Sequence, residues 1–172
     1  KLGERDDERI VALEAALAAI GEGHTAERAL LLATLSGELE YASTLEVRAD
    51  LMDEAVAIAR EVGDPWVLGT VLNRSGVTSA VPQNLEARRA ASAESLAIAE
   101  SLGDLTLEFW ARCGGFQAAL GGGDINTAET MQGILADLAD EIGRPSFRWL
   151  ASVFECTYLS AIGDTGRLEE QA

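Results

Sequence analysis

Glu54-Ala55-Val56-Ala57-Ile58-Ala59-Arg60-Glu61-Val62-Gly63-Asp64 returns forty residues later as Glu94-Ser95-Leu96-Ala97-Ile98-Ala99-Glu100-Ser101-Leu102-Gly103-Asp104. After forty more it comes back as Ile134-Leu135-Ala136-Asp137-Leu138-Ala139-Asp140-Glu141-Ile142-Gly143-Arg144. The three stretches align without a gap, and one further step back reaches Gly23, behind the similar Ala15-Ala16-Leu17-Ala18-Ala19-Ile20. A second mark keeps the same step. Gly123-Asp124 and Gly163-Asp164 are forty apart, and they map backwards onto Gln83-Asn84 and Ser43-Thr44. A fixed period of this length is the signature of stacked supersecondary units.

Each mark has a local cause. Glycine behind an apolar run supplies the left-handed residue that closes a helix. Thr44, Asn84, Asp124 and Asp164 are types that cap a helix start by accepting from its first free N–H groups. Pro65 and Pro145 stand two residues past a helix end, where proline stops propagation. One unit therefore reads as helix A, turn, helix B, turn. The spacing predicts a leading helix over about 5–21, A helices near 25–42, 65–81, 105–121 and 145–162, and B helices near 45–62, 85–102 and 125–142. A truncated fourth B helix begins near Thr165, giving about eight or nine helices. The repeats run over about 24–63, 64–103, 104–143 and 144–172, and the whole chain, 1–172, reads as a single helical-repeat domain.

In the last A helix, Phe147, Leu150, Ala151, Phe154, Tyr158 and Ala161 recur at three- and four-residue steps, which predicts one buried face. The B helices offer small residues, Ala55 and Ala59, Ala93 and Ala97, and Ala136 and Ala139, where neighbouring axes can approach. A lone helical pair cannot bury its apolar stripe, so each unit must be stabilised by its neighbours. The expectation is an all-α, right-handed solenoid of antiparallel helix pairs. The leading helix matches a B helix and the last one is cut short, so both ends of the array are open. The chain also starts on Lys1 rather than Met. These features predict a fragment of a longer chain, with apolar surface exposed at its ends.

Composition agrees. Alanine and leucine supply 29 and 23 of the 172 residues, against three prolines, so helix formers dominate and breakers are scarce. With 29 acidic against 13 basic side chains, the net charge is -16. That balance argues against direct nucleic-acid binding, which needs a basic face, and against anionic membranes. No run is apolar enough to span a bilayer and no signal peptide is visible, so a cytoplasmic protein fits best. Cys113 and Cys156 fall inside apolar helical patterns and read as reduced core thiols.

Trp66-Val67-Leu68-Gly69 followed by Leu72 resembles the helix-A signature of tetratricopeptide repeats. Glu54 to Pro65 resembles the helix-B ending of the longer, roughly 40-residue variant. Repeat three departs from it with Glu108-Phe109 in place of Leu-Gly, and repeat four with Arg148-Trp149. The Gly-Asp-Pro ending and Pro82-Gln83-Asn84-Leu85-Glu86-Ala87-Arg88 are similar to the helical-repeat region of MalT-like or LuxR-family ATP-binding transcriptional regulators and related adenylate-cyclase-type signalling proteins. That resemblance implies a sensor or interaction arm, with the nucleotide-binding and DNA-binding domains elsewhere in the parent chain.

The residues that could carry chemistry are few. His24 is the only histidine and lies in a turn without a partner motif. One His and two distant Cys do not make a zinc site. Gly121-Gly122-Gly123-Asp124 lacks the lysine and the preceding strand of a phosphate loop. Asp137, Asp140 and Glu141 lie on a solvated B-helix face rather than across a cleft. No catalytic residue, metal or cofactor is expected. The A helices carry little charge: Arg74 alone in the second, Glu108 and Arg112 in the third, Arg148 and Glu155 in the fourth. Such helices line the concave groove of a tetratricopeptide-like superhelix. Counting from Leu68-Gly69, the groove positions are Trp66, Thr70, Asn73, Arg74 and Val77. The next period adds Trp110, Cys113, Gly114 and Gln117, with Gly114 and Gly115 leaving room.

Trp66, Asn73, Arg74, Trp110 and Gln117 are therefore the candidate contacts for a protein or peptide partner, a small effector, or another domain of the same chain. The expected function is a non-catalytic interaction and regulatory arm. The alternative is a structural spacer or homo-oligomerisation module, a homodimer for instance, with no ligand groove.

Overall fold

The computed structural model of the chain describes residues 6–78 and 82–171. Among them every regular element is helical: α1 (Asp7–Ile20), α2 (Ala26–Glu38), α3 (Leu45–Val62), α4 (Pro65–Thr78), α5 (Leu85–Leu102), α6 (Leu105–Gly121), α7 (Ile125–Ile142), α8 (Pro145–Ile162) and α9 (Thr165–Gln171). Short 3-10 turns, Leu39–Tyr41 and Pro82–Asn84, lead into α3 and α5. No helix is long and apolar enough to cross a membrane.

The forty-residue marks occupy like places. Gly63, Gly103 and Gly143 follow their B helices at φ 73°, 64° and 70°, in the left-handed region. Gly123 and Gly163 follow two A helices at φ 76° and 75°. On the other side of each turn, carboxylates and hydroxyls hold the next helix. Thr44 accepts from the Val47 amide, Asp124 from Thr127 and Asp164 from Arg167. Asp64 and Asp104, directly behind the closing glycines, do the same for Val67 and Leu107.

Two marks behave otherwise. The glycine with positive φ behind α1 is Gly21, at 77°, and Gly23 is not in that region. The leading helix therefore ends two residues before the forty-residue step, and its turn is longer, with Thr25 capping α2 through the Arg28 amide. Asn84 gives α5 no side-chain cap; it is the last residue of a 3-10 turn that runs straight into the helix.

The chain forms two compact units, Lys1–Val81 and Pro82–Ala172, so the second period is divided between them. In the first, α2 packs on α1, α3 and α4, and α3 packs on α4. Its core holds Ala29, Leu32, Ala33, Met52, Ala55, Ile58, Ala59, Val67 and Val71. In the second, α6 packs on α5, α7 and α8, and α8 packs on α7 and α9. Its core centres on Phe109 and Phe116, both 0% exposed, with Leu135, Ala139, Phe147 and Leu159 around them. Rings meet edge to face there: Phe109 lies 4.9 Å from Phe147, and Phe116 5.2 Å from Phe154. Such pairs add to what burial alone contributes.

The B-helix contacts obey the period more strictly than the alanine pairs expected of them. Ala55, Ser95 and Leu135 are each 0% exposed, and Ala59, Ala99 and Ala139 no more than 1%. Ala93, Ala97 and Ala136 instead face solvent. They lie off the buried line, on the wrong side of a 3.6-residue helix. In α1 the equivalent line is Leu13 and Leu17, both half-buried, while Ala15 and Ala19 are exposed, as the shortened leading helix requires. In α8, Phe147, Ala151 and Tyr158 are buried as expected, Leu150 and Phe154 are half-buried, and Ala161 is exposed.

Candidate partner-binding site

α4 and α6, the helices expected to present partner-binding residues, lie in different units. On α4, Trp66, Asn73 and Arg74 are seven and eight residues apart, about two turns, so they share one side of the helix. Trp66 is 46% exposed. It stands in the first turn, where the Asp64 carboxylate accepts from its amide at 2.8 Å and fixes the helix start. Asn73 is half-buried and Arg74 is exposed.

The Arg74 guanidinium turns back onto α2 and donates from Nη1 to the Thr34 hydroxyl. That hydroxyl in turn donates to the Leu30 carbonyl at 2.6 Å. Although the side chain as a whole is exposed, desolvation of the guanidinium where it turns back on α2 first, and then the neighbouring Arg9, hold it below its ordinary value, against an opposing pull from Glu38. Glu38 itself pairs with Arg9 at 3.1 Å. Arg74 is thus not an isolated solvated charge. It joins Thr34 of α2 to the charges of Arg9 on α1 and Glu38 on α2.

On α6, Trp110 and Gln117 are again seven residues apart. Trp110 is 39% exposed, although its ring leans edge-on against Phe109 at 5.8 Å and Phe147 at 6.3 Å. The buried pair beneath it limits its freedom, so the indole is a braced apolar knob at the surface. Gln117 is half-buried. Around the same helix, Arg112 is held by Glu108 at 2.7 Å and reaches Glu100 at 3.6 Å.

Three expected groove residues lie elsewhere. Cys113 is 2% exposed and belongs to the core, where burial pushes its thiol up. Gly114 and Gly115 are buried too. A methyl group on Gly115 would meet the Met131 side chain at 2.9 Å and the Ser92 hydroxyl at 3.0 Å. These glycines therefore admit α5 and α7 to the flank of α6, and Ser92 uses the approach to donate to the Ala111 carbonyl at 2.8 Å. Thr70 is half-buried, and the side chain of Val77 lies outside the described residues. Cys156, read as a core thiol, is only half-buried.

Two supports escaped the sequence reading: Thr34 beneath Arg74 and Phe147 beneath Trp110. The first had a signal, since Thr34 and Arg74 are forty apart and hold one register. His24 is an exposed turn residue whose Nδ1 lies 2.5 Å from the Glu61 carboxylate, tying the α1–α2 turn to the end of α3. Among the described residues, no three His, Cys, Asp or Glu side chains gather as a metal set. Comparison with known proteins gives no match, either to a family model or to a curated protein.

Proposed function

We propose that this chain is a non-catalytic interaction arm, a tetratricopeptide-like repeat region that holds a partner segment on its A helices. The helix pairs stack antiparallel as a right-handed solenoid, and the partner is an extended peptide or a neighbouring domain of a bacterial signalling or transcriptional regulator in the cytoplasm. The observation that carries this reading is the exposure of Trp110 on a braced aromatic base. An indole left 39% exposed over buried Phe109 and Phe147 loses little freedom on contact and still has apolar surface to bury. Trp and Arg are the types that dominate binding energy at such contacts. In the other unit, Trp66 and Arg74 offer the same pair of chemistries on α4.

The reading also draws on where charge lies. Acid is concentrated on the B helices, as in Glu46, Asp50, Asp53, Glu54 and Glu61 of α3, whereas α4 carries Arg74 alone. A partner approaching the A side meets amide, indole and guanidinium groups, not a wall of carboxylates.

A peptide selected from a displayed random library against the intact chain is the probe. Trp110→Ala is expected to weaken its binding by about tenfold or more, with the helical circular-dichroism signal unchanged. Affinity equal to that of the unaltered chain removes this site; Arg74→Ala puts the same question separately to α4.

A further inference from the structure

The B helices repeat a half-buried apolar position at forty-residue steps, Leu51 on α3, Ala91 on α5 and Met131 on α7. A line at the same step runs along the A helices through Leu35, which is 5% exposed on α2, and the buried Gly115 on α6. Leucine thus holds both positions in the first unit. In the second unit one of them has no side chain, and the other carries a longer thioether. The Met131 Cε and Sδ reach 2.9 Å and 3.0 Å from the point where a Cβ would stand on Gly115. The sulfur group fills the slot that glycine leaves in α6, a use to which the flexible, polarizable methionine side chain is suited. The Ser92 hydroxyl of α5 lies 3.0 Å from the same point and donates to the Ala111 carbonyl at 2.8 Å. Three helices meet at this one contact.

We propose that the contact is a redox-sensitive joint: hydrogen peroxide converts the Met131 thioether to its sulfoxide, which does not fit the slot, and α7 loosens from α6. The peroxide O–O bond breaks as one oxygen passes to a lone pair of the sulfur. The sulfur gives up two electrons, and the remaining hydroxyl takes the proton of the transferred oxygen and leaves as water. Methionine sulfoxide reductases reverse the change.

Access, fit and polarity all support this assignment. The chain has two methionines. Met52 is 5% exposed within the first core, whereas Met131 is half-buried and packs on the second core from its margin. Peroxide therefore meets Met131 first. The slot has no spare volume, since even a methyl group on Gly115 would collide with the thioether, and added atoms in a filled contact force neighbours apart. A sulfoxide oxygen is also a polar acceptor placed among apolar groups. Left without a donor it carries a desolvation penalty, and taking the Ser92 hydroxyl would strip the Ala111 carbonyl of its partner.

The test is mild peroxide treatment of the intact 172-residue chain, with the sulfoxide located by tandem mass spectrometry and stability followed by circular dichroism. Sulfoxide is expected on Met131 before Met52, and the thermal midpoint should fall by at least about 2 °C, the scale of a modest packing loss in a chain of this size. Reductase treatment should restore the midpoint. Met131→Leu, which installs the side chain that position 51 already uses, is expected to keep the helical signal and to leave the midpoint indifferent to peroxide. The thiols are the same in both proteins, so any oxidation at Cys156 cancels in the comparison. Met52 reacting as fast as Met131, a midpoint unmoved once Met131 is converted, or an equal fall in Met131→Leu would each overturn the proposal. Peptide capture through Trp110 is read on the reduced chain and is decided separately.

Discussion

Gly103 and Gly133 separate two reasons for having glycine. Gly103 ends α5 at φ 64°, and a Cβ built there meets nothing within 4 Å. Space is not what it needs, only the left-handed backbone that other residues adopt at a cost of about 1 kcal/mol. Gly133 lies inside α7, exposed, with ordinary φ and equally open surroundings. There glycine merely weakens the helix relative to alanine. Gly103→Ala is thus expected to destabilise the protein by about 1 kcal/mol, and Gly133→Ala to stabilise it by about 0.5–1 kcal/mol. Urea unfolding followed by circular dichroism reads both, and two changes of the same sign would refute the distinction.

At the scale of the element, the turn carboxylates matter as much as the glycines. Asp124 starts α7. Hydrogen bonds first from the Thr127 side chain and then from its backbone, aided by Arg89, hold the Asp124 carboxyl below its ordinary value. A carboxyl whose value falls on folding stabilises the fold above the ordinary carboxylate range, and that contribution is lost as pH falls through the lowered value. Asp124→Ala should therefore lower the thermal midpoint most at neutral pH, with the gap to the unaltered chain closing in acid. Asp124→Asn, which keeps an acceptor but not the charge, should show a flatter dependence. A gap that widens in acid contradicts this assignment. Glu46, lowered by its own backbone amide and then by Thr44, follows the same sign at the start of α3.

Element boundaries were legible because their punctuation is chemical and local. Gly63, Asp64 and Pro65 together leave a helix no way to continue, and α3 and α4 meet there. Helix faces were less legible. The sequence shows alanines on both sides of α5 and α7, and only the neighbours decide that Ser95 and Ala99 turn inward while Ala93 and Ala97 do not. A buried serine in an apolar line was the misleading residue. The candidate site divided in the same way: Trp66 and Trp110 stand at the surface, but Cys113 and Gly114, one residue apart on α6, went under the packing of α8 and α5. A single helix turn separates those outcomes, and residue type alone does not fix it.

At the scale of the whole molecule, the surplus of carboxylates sets the response to salt. Twenty-nine acidic side chains face thirteen basic ones. Even if every base were paired, the whole surplus of 16 carboxylates would stay uncompensated. The exposed pairs, such as Arg148 with Asp140, contribute at most about 1 kcal/mol each and are screened as readily as the repulsion. Repulsion therefore wins, and raising sodium chloride from about 10 mM to about 150 mM, which shortens the screening length from about 30 Å to about 8 Å, should raise the thermal midpoint. A fall on adding salt would show that the ion pairs outweigh the surplus. The division into two compact units at Val81 and Pro82 was not legible, since the forty-residue spacing runs through it without a break. Its position follows from which helices share a core, a long-range property that no local mark records.

The three tryptophans, at 46%, 39% and 54% exposure on α4, α6 and α8, have an optical consequence. With every indole already wet, ultraviolet emission from the native chain sits toward the red, and unfolding has little left to shift. Dissolved quenchers reach all three, and they do so through a negative atmosphere that gathers caesium and turns iodide away. The ratio of the two quenching constants becomes a gauge of the local potential where each ring stands.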